Sequence, residues 1–303
     1  MWYSISFVAC LAATASAHGV VTSIQGANGV DMPGLSVADG TPRDCTSNRC
    51  GSQADTAIIR DRDIARGGSP LGKTQGNGDI LAETMIANFM GTGNAPTNNG
   101  AEESVGAEDD LSGTPVDNKM KRQLLKGLFG GGGAGGGATG IQGLFGGGGD
   151  QNDGPPESSV AASAGAGETD GLPTCSDTGE ITMTFRQINQ DGAGPLTADV
   201  DGTSGGTDAD AFQSAEVTQD VPGLGIQGLS LATNTDFPLT VQMPEGMTCD
   251  ATVAGVDNVC VVRVRNGAAA GPFGGSAAFT QSPAARKRAI AYRLKKRMEF
   301  GNH

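Results

Sequence analysis

The sequence contains few aromatic residues and almost no histidine: 4% of its 303 residues are aromatic and two are histidines. It lacks an Asn-x-Ser/Thr acceptor, so N-linked glycans are not expected. It also lacks an apolar run long enough to span a bilayer, so no transmembrane segment is expected. With 50 glycines and so few aromatic side chains, a sizeable part of the chain cannot enter a packed core. The net charge of -13 and the missing aromatic platform argue against a nucleic-acid partner.

The N-terminal stretch is typical of a secretory signal peptide. Residues 2–13 are apolar and the small residues Ala-Ser-Ala precede His18, although the start lacks the usual basic residue. An uncut membrane anchor is disfavoured because the apolar run is too short. We therefore predict a signal peptide over residues 1–17. The mature protein should be secreted, either extracellular or associated with the cell wall, and should begin with His18.

The cysteines fit an oxidising compartment. One of the six lies in the signal peptide, which leaves an odd number in the mature chain. Cys45 and Cys50 are close enough to bridge one loop, and Cys249 and Cys260 flank a short hairpin whose closure would constrain the unfolded chain by about 3 kcal/mol. Cys175 is then free, bonded to another chain, or a sign that this pairing is wrong. Zinc is disfavoured by the irregular spacing.

Period-2 alternation predicts a sheet protein. Residues 260–265 place Arg263 and Arg265 on the face opposite their apolar neighbours, and residues 180–186 place Arg186 on the outward face. Further strands are predicted at residues 20–24, around 217, at 239–243 and at 277–281. Several short strands divided by Gly/Pro turns indicate an all-β fold, a β-sandwich of the immunoglobulin-like type.

One short helix is predicted before the tail. It begins with Asp79 as its cap and ends at Gly91. Leu81, Met85 and Phe89 share its apolar face.

The middle of the chain is predicted to be a disordered, Gly-rich insertion covering residues 95–170, because it has too little apolar side chain to offset the entropy of ordering. Residues 18–94 and 171–282 then form a single sandwich domain. Within the insertion, Lys121-Arg122 resembles a dibasic processing site; a chance pair is the alternative.

The tail, residues 283–303, is predicted to be a basic helix. It holds seven Lys or Arg residues and Glu299, which gives it a net charge of +6. Because the whole chain carries -13, the rest of the chain must carry -19. Ile290, Leu294 and Met298 share one helical face. The helix could pack against acidic surface of its own chain, or bind an anionic wall or membrane.

Residues 67–74 (GGSPLGKT) match the phosphate-loop pattern letter for letter. A working phosphate loop needs a buried strand before it and a helix starting at its Lys-Thr. Charged residues precede this stretch and a Gly-containing linker follows it, so no nucleotide is expected.

Paired carboxylates for glycoside hydrolysis could come from five aspartates that lie in Gly-rich turns: Asp191, Asp199, Asp201, Asp208 and Asp210. Aspartate is favoured in such turns for local hydrogen bonding, so loop solvation is the preferred interpretation. A Ser-His-Asp triad would have to use His18 or His303, and neither lies in a recognisable motif.

His18 is the one candidate metal ligand. A free α-amine and the imidazole of the same residue can chelate copper, which favours nitrogen ligands. The only other histidine is His303, and Arg186 is no copper ligand. The alternative is that His18 is an ordinary residue after a cleavage site.

The chain resembles a fungal family of secreted appressorium-associated virulence proteins, the Gas/Mas type, also called Egh-like. The matching stretches are His18-Gly19-Val20-Val21, the Cys45–Cys50 loop, and residues 72–91, 185–195, 217–223, 243–249 and 271–281. The insertion and the tail lie outside the resemblance.

The resemblance implies a protein made during infection-structure formation that assists penetration of a host surface, without an established reaction. Its N-terminal histidine makes the family look like a relative of the lytic polysaccharide monooxygenases, and implies a sandwich of that type. Some relatives carry histidine where this chain has Arg186, and cysteine where it has Ser276, which would leave Cys175 unpaired.

We therefore predict a secreted virulence protein that acts by binding cell-wall polysaccharide or a host surface and is not an enzyme. The alternative is a copper-dependent polysaccharide monooxygenase that uses His18.

Overall fold

A computed structural model of the protein describes residues 18–46, 50–98, 149–190, 192–223, 230, 232–268 and 271–300. Five sequence predictions lie wholly or mostly outside the described residues. These are the signal peptide, the disorder of the insertion over residues 99–148, the Lys121-Arg122 processing site, Asp191 and His303.

Short antiparallel strands dominate the described part of the chain. The strands are β1 (Gly19–Gln25), β2 (Asp31–Pro33), β3 (Ala57–Ile58), β4 (Lys73–Thr74), β5 (Gly78–Asp79), β6 (Asp150–Gln151), β7 (Glu180–Gln187), β8 (Leu196–Asp201), β9 (Phe212–Gln219), β10 (Thr235–Gln242), β11 (Ala251–Val253), β12 (Val256–Asn266) and β13 (Phe273–Thr280). The helices are α1 (Asp61–Ile64), α2 (Ala82–Phe89), α3 (Ser159–Ala162), α4 (Gly167–Asp170) and α5 (Pro283–Phe300), and a 3-10 turn covers Ala209–Ala211.

The strands form one hydrogen-bonded path in the order β2-β1-β7-β10-β9-β8-β12-β13-β3-β4-β5, with β6 beside β10 and β11 beside β12. Strand β9 connects the two layers, because its first half pairs with β8 and its second half with β10. The path folds back on itself until β1 packs on β13, where a Cβ added to Gly275 would lie 2.6 Å from Val21 N. One hydrophobic core fills the space between the layers. The all-β prediction is confirmed; its finer likeness to immunoglobulin or monooxygenase sandwiches stays a prediction.

Both sides of the insertion contribute strands to this sheet. β1 pairs with β7 on one side of the molecule, and β3 pairs with β13 on the other. The two parts of the chain that flank the insertion therefore share one sheet and one core.

The predicted end of the insertion at residue 170 is wrong. Residues 149–170 form β6, α3 and α4, and Val160 is fully buried. Asn88 Nδ2 donates to Val160 O at 3.0 Å, so α3 is bonded directly to α2. The composition of residues 149–170 did not predict an ordered segment, because a single buried valine and a few polar contacts hold it against the body.

Helix α2 is shorter than predicted, and one of the three residues of its predicted apolar face lies outside it. It begins at Ala82, while Asp79 lies in β5 and caps nothing in α2. Leu81 precedes the helix and is 50% exposed. Met85 and Phe89 are buried as expected, and Gly91 ends the helix with a φ of +73° that favours glycine.

Both predicted disulfides, Cys45–Cys50 and Cys249–Cys260, are present. Cys175 is a buried free thiol, and burial raises its pKa. Its N–H donates to Thr280 O at 3.0 Å. Ser276 lies four residues before Thr280 on the same strand, which is about 13 Å along the strand, whereas a disulfide needs Cα atoms within about 7 Å. A cysteine at position 276 would therefore not explain the unpaired Cys175.

Candidate functional site

Arg186 lies on the face of β7 predicted to point outward, but it is 2% exposed. β7 pairs with β1 on one side and β10 on the other, which places Arg186 opposite Val20 and Asp236. Its guanidinium donates to Arg43 O (2.5 Å) and Asn152 O (2.6 Å), and pairs with Asp236 (3.2 Å). Burial lowers the pKa of Arg186, although Asp236 opposes that effect. The prediction of a solvent-facing arginine is wrong because two loops cover this face.

Arg43 extends the same cluster. Its guanidinium donates to both oxygens of Asp55, at 3.1 and 2.6 Å, and to Glu157 at 2.9 Å. Burial alone would lower the pKa of Arg43, but the charges of Asp55 and Glu157 raise it. Burial also opposes ionisation of Glu157, yet Arg43 and hydrogen bonds from Ser159 lower its pKa. We call these side chains, with Arg186 and Asp236, the arginine cluster.

The arginine cluster joins three parts of the chain that are distant in sequence. These are the segment around Arg43, just before the Cys45–Cys50 disulfide, the segment that returns from the insertion at Glu157, and the paired strands β7 and β10. Sequence reasoning missed Arg43, Asp55 and Glu157 because a buried ion pair between loops leaves no periodic signal. Every charged group of the cluster has a partner inside the protein, so its chemistry is structural.

His18 is fully buried at the start of β1. Its backbone N–H donates to Asn189 Oδ1 at 2.7 Å, and its ring packs on Phe273 with centroids 4.4 Å apart. Its carbonyl accepts from Ile188 N at 3.0 Å. Gly192 covers the same carbonyl so closely that an added Cβ would lie 2.0 Å from the oxygen.

The surroundings of His18 do not form a set of copper ligands in the described part of the chain. No three His, Cys, Asp or Glu side chains converge there as a metal-binding group. The position opposite Val20 holds Arg186, whose guanidinium has no lone pair to offer a metal ion. His303, the second histidine, is outside the described residues.

Three of the aspartates considered for hydrolysis, Asp199, Asp201 and Asp208, are engaged in local structure through their carboxylates, whereas the Asp210 side chain is exposed. Asp199 pairs with Arg263 at 2.8 Å, and Asp208 accepts from Asp210 N at 3.0 Å to cap the 3-10 turn. Asp201 is buried, which opposes its ionisation, but donors in the following loop outweigh burial and lower its pKa. These donors are Ser204 Oγ and the N–H groups of Thr203, Ser204 and Gly206.

The phosphate-loop match has the wrong geometry. Its Lys73 and Thr74 form β4, which turns back into β5, so no helix begins at the Lys-Thr pair. Lys73 Nζ instead pairs with Asp63 at 3.1 Å.

Helix α5 rests on the body through its small residues. Ala285 and Ala289 are each 7% exposed. Arg286 donates to Cys249 O (2.7 Å) and to Asp250 (3.0 Å), which ties the first turn of the helix to the chain beside the disulfide. Gly246 packs closely against Tyr292: a Cβ added to Gly246 would lie 2.9 Å from the Tyr292 ring.

The other face of α5 is exposed. Ile290, Leu294 and Met298 are 44%, 53% and 66% exposed, and we call them the α5 apolar stripe. Among the described residues, the only other large apolar side chain with comparable exposure is Leu81. Within the same residues, no helix is both long and apolar enough to pass through a membrane.

The chain matches the family model described as "Egh16-like virulence factor" over residues 16–274. It is 52% identical over 284 residues to "Appressoria-specific virulence factor GAS2" of Pyricularia oryzae, covering 93% of this chain and 89% of that protein. It is 41% identical over 129 residues to "Appressoria-specific virulence factor GAS1" of the same fungus, covering 41% of this chain and 50% of that protein. No solved structure matches the chain.

Proposed function

Because this chain belongs to the Egh16-like virulence factor family, we propose that it is a secreted protein that acts in infection by binding at the cell wall or a host surface. The coarse role, a fungal infection-related virulence protein, follows from the similarity to an appressoria-specific virulence factor. Secretion, processing after residue 17 and binding are the proposed part. The two disulfides support an oxidising compartment.

One observation carries the choice of binding over catalysis. Three buried ionisable side chains, Arg186, Asp201 and His18, are held in structural contacts. Arg186 binds two carbonyls and Asp236, Asp201 binds its own loop, and the His18 ring packs on Phe273. A catalytic group needs to reach a substrate, whereas these groups face protein.

Location is tested by expressing the untagged chain in a filamentous fungus and following it with an antibody. We expect the protein in the medium and wall fractions, with His18 as its first residue by N-terminal sequencing. Recovery in the cytosol with residues 1–17 still attached would contradict the proposal.

Binding is tested with the purified mature protein and isolated fungal walls or intact host surfaces in a pelleting assay. The matched control is the same chain after reduction and alkylation in denaturant, which keeps the composition and loses the fold. We expect the folded protein to pellet with at least one of these surfaces and the control to stay in solution. Equal behaviour of the two would count against a folded binding surface.

A second candidate function is a copper-dependent polysaccharide monooxygenase. The observation in its favour is the position of His18 directly after the predicted cleavage site, where processing would free the α-amine. It predicts tight copper binding by the mature protein, loss of that binding in His18→Ala, and oxidised sugar products. Copper titration of both proteins separates this candidate from binding alone.

A further inference from the structure

Helix α5 presents two opposite faces. At 100° per residue, the α5 apolar stripe points roughly 180° away from the side that holds Ala285, Ala289 and Tyr292. That second side packs on the body, as the burial of both alanines shows. The body therefore fixes the helix and leaves the stripe directed to solvent.

Positive charge borders the stripe on both sides. Arg293 and Arg297 lie along one edge, Arg288 and Lys295 lie along the other, and Lys287 lies within the stripe. The helix carries seven basic residues against the single acid Glu299, while the rest of the chain carries the excess of negative charge. An apolar stripe between two basic borders is the pattern of a helix that lies in a membrane interface.

Other partners fit this face less well. Two copies pairing stripe to stripe would bring their basic borders together and repel each other. The body of a second copy is acidic, but its described surface offers Leu81 as the only other large exposed apolar side chain. A bilayer with anionic lipids supplies an apolar interior and a negative surface together.

We propose that α5 is an interfacial helix that binds anionic lipid bilayers. The α5 apolar stripe enters the headgroup region and the basic borders contact lipid phosphates. The acidic body is repelled by the same surface and stays in water, which orients the protein with α5 facing the bilayer. This inference rests on the proposed extracellular, surface-binding function and names the chemistry of the surface.

The test is vesicle flotation of the full-length mature protein. The vesicles are pure phosphatidylcholine or an equal mixture of phosphatidylcholine and phosphatidylserine. The variant replaces Ile290, Leu294 and Met298 by serine, and Leu81→Ser is the matched control because it changes an equally exposed leucine elsewhere. A second variant, Lys287→Glu with Lys295→Glu, alters charge and keeps the stripe.

We expect the natural chain and Leu81→Ser to float with the anionic vesicles only, and less as salt is raised. Both α5 variants should bind at least tenfold more weakly, with unchanged unfolding curves. Three results would each overturn the inference: no flotation of the natural chain, equal flotation with both vesicle types, or unchanged binding by the serine variant. Binding to isolated walls without vesicle binding would leave the proposed function standing and remove the lipid as its target.

Discussion

Arg43 and Arg186 show how much of this protein's organisation depends on buried charge. Arg43 is 6% exposed and its partner Asp55 is fully buried, so neither group retains much contact with water. A buried pair of this kind is a weak source of net stability, because desolvation offsets much of the attraction. Removing one partner is costly because the other charge stays buried without compensation.

We therefore expect Arg43→Met to lower the free energy of unfolding by about 3–5 kcal/mol. The double variant Arg43→Met with Asp55→Leu should lose less, because the fully buried Asp55 carboxylate is no longer left uncompensated. Glu157 loses Arg43 in both variants, so its contribution is the same in each. Glu299→Ala is the control; it removes an exposed pair with Lys295 and should change stability by less than about 1 kcal/mol. Urea denaturation of the variants measures all three values. A double variant less stable than Arg43→Met would contradict the argument.

At the scale of the elements, the contact of β1 with β13 determines how the layers close. Gly275 lies where the two backbones meet, and an added Cβ would come within 2.6 Å of Val21 N and 2.9 Å of its Cβ. Neither strand can move aside easily, because β1 is bonded to β7 and β13 to β12.

Gly275→Ala should therefore destabilise the protein by about 1–3 kcal/mol through overpacking. Gly267→Ala is the matched control, since nothing lies within 4 Å of its added Cβ and its φ is not in the left-handed region. That change should stay within about 0.5 kcal/mol of the natural protein. Thermal unfolding followed by circular dichroism compares the two, and equal midpoints would mean that the strands do not meet as described.

The elements differ in how well the sequence predicted them. Strands such as β7 and β12 were evident because alternation and turn residues are local signals. The burial of Arg186 was not, because it depends on loops that arrive from Arg43 and Asn152. Asp79 looked like a cap by its type and spacing, yet its pairing with Lys73 in the β4–β5 hairpin competes with the helix. In both cases the structure differs from the sequence prediction because of contacts that the residue's own segment does not encode.

For the candidate site, the sequence supplied the components without their arrangement. It placed Ile290, Leu294 and Met298 on one face of a helix, and the structure leaves that face exposed. It could not show that Ala285 and Ala289 would take the opposite face against the body. Nor could it show that His18 would be buried against Phe273, because that contact joins opposite ends of the domain.

At the scale of the whole molecule, both ends of the insertion attach to the same short segment. Asn98 N donates to Asp39 O at 2.8 Å, and Glu157 N donates to Thr41 O at 2.8 Å. The two parts of the chain are then joined by β1 with β7 and β3 with β13. Each disulfide lies within one part, so among the described residues no disulfide crosses the insertion.

Cleavage at Lys121-Arg122 should consequently leave the protein as a single body held by strand pairing and the shared core. A specific protease site substituted at these two positions allows a controlled cut. We expect the cut and uncut proteins to elute together in native size-exclusion chromatography, and the two fragments to separate on a denaturing gel without reducing agent. The uncut variant treated with buffer alone is the control. Dissociation under native conditions would show that the paired strands and the core do not suffice to hold the two parts together.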